Sequence, residues 1–364
     1  MRALIDPLLR TAHNWVGLAL SLVLALLALS GSLLVFKTDW LRATQPGAAA
    51  AVVVDAATFG RDAEAAERVY GTERLKSVTF AGPEIGLHQV YLADGGGAYL
   101  EPGTGRVVSE WAKNERFVDW LFDLHHHLLL GKSGTTLAGW TGFAGLLLTV
   151  SGLYLWWPAR RLFAPRLTPR SSARGHWVAV HRDMGALTAP VALLLLFSGW
   201  PMALPDVAKP AMTAVLGEME PRPNPVAGEG DVDWAAAVPA AQARFENAAP
   251  RMAVWPASGK PASVRLRQPA EWHANGRTQV WIDPADGAVL ATWNAQAERR
   301  AGRVYNVLWP LHAAKVGGLM WKLLAFAGGL GLAALSLYGA ESFRRRLARL
   351  RRTRAPRPAL APAE

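Results

Sequence analysis

No cysteine occurs anywhere in the chain of 364 residues. That absence excludes thiolate-ligated iron–sulfur clusters, covalent c-type haem attachment and disulfides in any exported region. A redox centre in this chain uses histidine or belongs to a bound organic cofactor. Charge is scarce too: 18% of residues are charged against 51% apolar, where an ordinary soluble domain carries about 25% charged. The scarcity is concentrated in stretches 11–36, 135–157, 184–205 and 317–340. Each meets or approaches the ~20 apolar residues that cross a ~30 Å hydrocarbon core. A buried helix of a soluble core accounts for one such stretch but not for four. The first is too long for the ~7–15-residue apolar region of a signal peptide, so it reads as a retained span. Nucleotide signatures are missing as well. Gly131, Lys132 and Ser133 resemble the end of a phosphate-binding loop, but His126 stands where its first glycine belongs. Gly95, Gly96 and Gly97 form a loop between strands, not a dinucleotide fingerprint.

What charge there is carries a direction. Arg160, Arg161, Arg166, Arg170 and Arg174 fill the link between the second and third spans. Arg344, Arg345, Arg346, Arg349, Arg351, Arg352, Arg354 and Arg357 follow the fourth. These arginines outnumber the whole chain's net charge of +11, so the basic character reports orientation rather than nucleic-acid binding. By the positive-inside rule the link and both termini face the cytoplasm, and the long regions 38–115 and 206–302 face outward. The terminal arginines can also meet anionic lipid heads, which is compatible with that orientation.

The chain also repeats itself. His13 and Gly17 open the first apolar segment as His181 and Gly185 open the third, and both run on to Ser-Gly pairs, Ser30–Gly31 and Ser198–Gly199. His125 precedes Gly131, Gly142 and Gly152; His312 precedes Gly318, Gly329 and Gly339 at the same spacing. Between the spans of each half, Glu101 to Val107 matches Asp283 to Val289, with Trp111 and Trp293 at the same offset. The outer regions read as α+β. A helix is expected over 62–70, strands over 77–80 and 89–92, and a hairpin over 99–108. In the second region a helix is expected over 234–245, a strand over 263–266 and a hairpin around Asp283–Gly287, after a Pro- and Gly-rich loop over 216–231.

Orientation sorts the histidines before chemistry does. His13 and His181 fall at the cytoplasmic ends of spans one and three, and His125 and His312 lie just before spans two and four on the outer side. Two copies of a unit that enters and leaves the membrane are related by an axis along the membrane normal. That operator maps His13 to His181 and His125 to His312, so each pair can face a common central space as two axial ligands of one metal. Gly17 and Gly185, one turn after their histidines on the same helix face, would let a flat macrocycle approach the backbone. Zinc and copper remain alternatives. Zinc takes three or four protein ligands, however, and no carboxylate or thiol obviously completes either pair. Haem supplies the other four ligands itself and fits better. Arg10 and Arg182 at the inner site, and Arg116, Lys132 and Lys315 at the outer, can pair with haem propionates, although interfacial snorkelling explains any one of them. His126 and His127 read as a hydrated tract and His176 as solvated, with ligation by any of these three left open. His88 and His273 read as ordinary surface or domain residues. Asp119 and Asp123 share a helix face with no convincing partner base.

The strings "YLEPGTGRVV" and "VWIDPADGAVL", "LHHHLLLGKSG" before the second span and "SGLYLWWPARR" at its end, in that order, resemble the PepSY-associated transmembrane family. The resemblance runs from about Leu9 to Arg346; Ala313 and Ala314 depart from it where a glycine is expected soon after the histidine. It implies an α-helical membrane protein with four transmembrane helices from two tandem TM–PepSY–TM repeats and two small α+β periplasmic domains. The expected boundaries are 11–36 for the first span, 38–115 for the first PepSY-like domain, 116–134 for an interfacial helix carrying His125, and 135–157 for the second span. A basic cytoplasmic loop follows over 158–177, the third span over 178–205 and the second PepSY-like domain over 206–302. An interfacial segment with the fourth span occupies 303–340, and a basic tail 341–364. The resemblance further implies a bacterial inner-membrane protein of iron uptake that passes electrons to a periplasmic ferric siderophore or other ferric acceptor and releases Fe(II). Two b-type haems are expected, one on His13 and His181 near the cytoplasmic face and one on His125 and His312 near the periplasmic face. The cytoplasmic loop is too short for a flavin or nucleotide domain, so the electron donor is a quinol in the bilayer or a separate cytoplasmic reductase. Two other readings compete: a non-enzymatic PepSY-type binding or regulatory module, and a siderophore transport component.

Overall fold

The structure is a computed structural model describing residues 2–52 and 55–354; Arg357 of the expected basic tail lies outside the described residues. In chain order come α1 (Arg2–Leu34), α2 (Lys37–Thr44), α3 (Ala56–Tyr70), β1 (Leu75–Thr79), β2 (His88–Leu92), β3 (Gly97–Leu100), β4 (Val107–Trp111), α4 (Phe117–His127) and α5 (Gly131–Trp156). A 3-10 turn follows, then α6 (Arg174–Ala203), α7 (Pro205–Leu216), α8 (Trp234–Gln242), β5 (Ala249–Val254), β6 (Ala262–Arg267), β7 (Thr278–Ile282), β8 (Val289–Trp293), α9 (Arg300–His312) and α10 (Gly318–Arg354).

Helices α1, α5, α6 and α10 are long and apolar enough to cross a membrane. Helix α1 packs on α5 and α10, and α6 packs on the same two, so the four close a ring with α1 diagonally opposite α6. Close approach is made by small residues rather than by a hydrophobic drive, which lipid does not supply. A methyl at Gly329 would meet the Ser32 hydroxyl of α1, and one at Gly328 would meet Val191 of α6. The short helices α4 and α9 precede α5 and α10 and are separated from them by sharp turns. Leu128 and Leu129 adopt φ of 48° and 60°, which ends α4 after His127. The interfacial helix expected over 116–134 therefore breaks there, and α5 begins at Gly131. The second turn uses Ala314 at φ 50° followed by Gly317 and Gly318 at 74° and 60°. Ala314 thus adopts the left-handed geometry that the expected glycine would favour.

The strands form a single antiparallel sheet in the order β4-β3-β2-β1-β5-β6-β7-β8. The two α+β units do not stand apart. Strand β5 pairs with β1 through Ser77–Val254, Val78–Ala253 and Thr79–Met252, so two four-stranded meanders meet back to back. Helices α3 and α8 pack together over one face, and residues of both meanders share one core that includes Val78, Val90, Val264 and Val280 around Trp234. Asp55 and Asp233 cap these helices by accepting from Thr58 N and Ala236 N. The other face turns toward the elements leading into the bundle. Tyr99 and Trp111 pack there with Leu41 of α2, and His273 stacks on Trp309 of α9 with centroids 4.2 Å apart.

The structure narrows the reading of two histidines and corrects that of two acids. Of the surface and domain readings left for His88 and His273, the structure gives the second: His88 is fully buried, accepts Ala81 N at Nδ1 and donates from Nε2 to Asp62. Asp62 also accepts Gly103 N, so this pair ties α3 to β2 and to the β3–β4 hairpin. His273 is likewise buried against Trp309. Asp123 does have a partner base, since His127 lies 2.7 Å away, and Asp119 forms a two-point contact with Arg116.

Candidate functional site

Each of the four repeated histidines bonds through Nδ1 to a neighbouring helix. His125 and His312 project from α4 and α9 onto α1 and α6. There His125 Nδ1 donates to Leu27 O at 2.9 Å, and His312 Nδ1 donates to Leu195 O at 3.0 Å. The Ser30 and Ser198 hydroxyls sit 3.1 and 3.2 Å from the same nitrogens, with their own protons directed at Leu26 O and Leu194 O. At the other end of the bundle His181 Nδ1 donates to Leu335 O of α10 at 3.0 Å. His13 Nδ1 donates to Ser151 Oγ of α5 at 3.0 Å, and that hydroxyl passes its proton to Leu148 O. A carbonyl only accepts, and both kinds of partner therefore fix the proton on Nδ1. All four neutral imidazoles keep a free lone pair on Nε2, the arrangement metal-ligating histidines use. Burial away from water holds His125 well below its ordinary range, to about 3, and lowers His312 as well. Both rings are thus neutral and able to ligate at physiological pH.

Glycines on the facing helices seat these rings. A methyl at Gly31 would stand 2.7 Å from His125 Cε1, one at Gly199 2.8 Å from His312 Cε1, one at Gly339 3.0 Å from His181 Cε1, and one at Gly152 3.3 Å from His13 Cε1. The Ser-Gly pairs and the glycines late in α5 and α10 were visible as a repeat, but sequence alone did not show that they hold histidines. Their equal spacing from each histidine was the signal available.

The histidines meet in the expected pairs. His13 and His181 face each other across the diagonal of the bundle with ring centroids 6.2 Å apart, and His125 and His312 are 6.0 Å apart. An imidazole nitrogen ligates a first-row metal at about 2 Å, so two rings on opposite sides of one ion have centroids about 6 Å apart. The separation along the bundle follows from the helices: His13 to Ser30, like His181 to Ser198, spans about 26 Å of helical rise. One pair therefore lies near each end of the apolar layer.

The surroundings test which group fits. Among the described residues no group of three or more His, Cys, Asp or Glu converges on a metal position, so neither pair offers the further protein ligands that zinc needs. At the His13–His181 end a cleft of about 290 Å³ opens beside the rings, lined by Gly17, Gly152, Gly185 and Gly339 among apolar side chains. At Gly17 nothing stands within 4 Å of where a side chain would begin. Arg10, Arg174 and Arg346 also line it. The cleft thus offers room beside the imidazoles for an apolar group that carries anionic tails.

Of the cations expected to meet propionates, Arg182 pairs with the buried Asp183, Arg116 with Asp119, and Lys315 with Glu84. Arg166 also binds Asp183 and pins the 158–177 link to α6. Arg10 and Lys132 have no ion pair among the described residues. Arg174 and Arg346 were not singled out for the cleft by sequence, since both lie inside arginine-rich runs where orientation alone explains them. His126 stacks on Phe122 at 4.5 Å and lies edge-on to His125 with centroids 6.3 Å apart, and His176 stays exposed beside Ser171.

Residues 10–346 match the family described as PepSY-associated TM region. The match covers most of the chain, which therefore belongs to that family and is a multi-pass membrane protein. Comparison with curated proteins gives no match.

Proposed function

We propose that this member of the PepSY-associated TM family is an inner-membrane di-haem reductase, built by duplication of one helix–α+β–helix unit, that passes electrons across the membrane to a periplasmic ferric siderophore. The observation that carries this reading is the pairing of four imidazoles at 6.2 and 6.0 Å, each with Nδ1 bonded outward to a neighbouring helix. His13 and His181 would hold one haem, and His125 and His312 the other. Bound there, haem supplies reversible one-electron chemistry whose potential depends on axial ligand, burial and hydrogen bonding. The chain's own residues do the rest. Ser151, Leu335 O, Leu27 O and Leu195 O orient the rings and raise their basicity. The cleft beside the inner pair is largely apolar, and Arg10, Arg174 and Arg346 offer cations in its lining. The arginines of the 158–177 link and of the α10 end lie opposite the sheet, which supports a cytoplasmic placement for them and a periplasmic one for the sheet. The donor is a quinol or a cytoplasmic reductase.

A binding or regulatory module would account for the sheet but leaves four oriented imidazoles without a role. The test is a reduced-minus-oxidised spectrum of the protein purified in detergent from a haem-replete host. Two b-type haems are expected in the wild type, with one lost in His13→Ala and the other in His312→Ala. A colourless wild type would sink the reductase.

A further inference from the structure

The second half of the sheet carries a group of arginines that the histidine pairs do not explain. Strand register places Arg265 of β6 opposite Gln279 of β7, and Gln279 opposite Trp293 of β8. Directly paired residues project on the same side of a sheet with Cβ atoms about 5 Å apart, so these three form a row on the face away from α3 and α8. Arg277 lies two residues before Gln279 and shares its face. The Arg222 guanidinium covers the Trp293 ring at 4.1 Å. Three guanidiniums thus converge over β6–β8.

None of the three has a carboxylate partner among the described residues, and Arg277 Nε is buried without any hydrogen bond. The nearby acids are already engaged. Glu271 accepts from Gln268 N, Arg277 N and the Thr278 hydroxyl, while Glu298 accepts from Glu220 N. Elsewhere on this side Lys315 is neutralised by Glu84, Lys322 by Asp39, and Arg299 by Glu218 and Glu220, while Lys37 and Lys209 rest on the rings of Phe122 and Tyr305. Crowding shows in the arginines themselves. Burial first, then Arg265 and Arg222, lower Arg277 to about 10.

The first half of the sheet serves as an internal control. There, register sets Tyr91 opposite Gly97, the positions that Arg265 and Gln279 hold in the second half, and Gly95 stands where Arg277 does. Arg116 covers Trp111 at 3.4 Å as Arg222 covers Trp293, but Arg116 is tied to Asp119. At these matched positions, among the described residues, guanidiniums without a carboxylate occur in the second half only, so the shared fold does not require them.

We infer that the face of β6–β8 turned toward the bundle is a binding site for a soluble polycarboxylate ligand gripped by Arg222, Arg265 and Arg277. Guanidinium forks suit carboxylate oxygens. Three of them call for a multiply charged ligand, where one lipid phosphate or one haem propionate would leave positive charge uncompensated. The site adjoins the outer histidine pair: His273, in the loop between β6 and β7, stacks on Trp309, one turn before His312 on α9. Resting on the reductase reading, the preferred acceptor is then a ferric chelate whose iron is wrapped by carboxylates rather than by neutral or cationic groups.

The experiment is calorimetric titration of the full-length protein in detergent with gallium(III) citrate, which mimics the ferric chelate but accepts no electron. Saturable binding that weakens with added salt and falls about tenfold or more in Arg265→Gln, Arg277→Gln and Arg222→Gln is expected. Arg222 lies in an irregular segment, so its loss cannot unfold a strand. Arg68→Gln, on α3 beyond the opposite face, leaves the affinity unchanged. Absence of saturable binding, or binding indifferent to all three substitutions, overturns the inference. So does a haem spectrum that changes in the arginine variants when no citrate binds, which would assign the arginines to propionates. Displacement by phosphatidylglycerol but not by citrate in nanodiscs would assign them to lipid and overturn it too. The two proposals fail separately. A colourless protein that binds gallium citrate through these arginines supports the site and removes the reductase; a haem-loaded protein that reduces ferric citrate equally well without them does the reverse.

Discussion

An imidazole that ligates through Nε2 needs an acceptor for its Nδ1 proton, and the four histidines differ in how securely they have one. His125 and His312 each have a backbone carbonyl and a serine hydroxyl within reach. His181 has a carbonyl alone. His13 depends on Ser151, whose hydroxyl stands between the ring and Leu148 O. On the proposed ligation Ser151→Ala removes the only acceptor at that nitrogen among the described residues, and haem affinity at the inner pair should drop by about tenfold or more. Ser30→Ala leaves Leu27 O in place and should change the outer pair much less. Titrating haem into the apoprotein of each variant separates the two; equal losses would contradict this assignment of acceptors. The seating glycines grade in the same way. Gly31→Ala places a methyl 2.7 Å from the His125 ring, against 3.3 Å for Gly152→Ala and His13. The first should halve or abolish the outer haem signal, and the second should nearly preserve the inner one. Alanine raises helix propensity by about 1 kcal/mol over glycine, so lost helicity cannot mimic the result.

At the scale of elements, the loop between β6 and β7 has a pH dependence of its own. His273 is buried on Trp309 and accepts Asn275 N at Nδ1. Burial first, then Arg277, Arg265 and Arg267, push it down from 6.5 to about 3. The unfolded chain therefore binds a proton that the folded chain refuses between those values, so stability is full above about pH 6.5 and is lost as pH falls toward about 3. Urea unfolding followed by tryptophan fluorescence should show that slope, and His273→Gln should flatten it; an unchanged slope would place the titration elsewhere. The elements themselves were unevenly legible. Helix 62–70 and strands 77–80, 89–92 and 263–266 were readable because their apolar residues keep a period or their β-branched and aromatic residues cluster. Each lies within, or one residue beyond, the observed element. Strand β5 was not read. It carries Pro250 and Arg251 and is irregular between Pro250 and Met252, which hides its alternation. Because β5 is the strand that joins β1, missing it made one sheet look like two domains. The His88–Asp62 pair was hidden for a related reason: neither residue has a counterpart in the second half, so the repeat gave no hint of it.

At the scale of the whole molecule, every composite feature draws on both halves of the chain. The two histidine pairs each take one ring from residues before the 158–177 link and one from after it. Helix α1 packs on α10, α5 packs on α6, and the sheet is continuous only through β1 and β5. The link is thus a short tether between interlocked units, held by Arg166 on Asp183, and its covalent continuity contributes chiefly effective concentration. A chain divided between Arg170 and Ser171 keeps every one of these contacts available, including that ion pair. Co-expression of the fragments 1–170 and 171–364 should therefore yield a complex that copurifies, melts as one unit and, on the proposed function, shows both haem signals. Asp183→Ala leaves Arg166 and Arg182 without their shared carboxylate and removes a contact across the cut. It should weaken the split complex far more than the intact protein, where the tether compensates. If the fragments assemble equally well without Asp183, the ion pair orders the link but does not hold the halves together. If they fail to assemble at all, the halves fold in sequence rather than independently, and the tether is needed during insertion rather than afterwards.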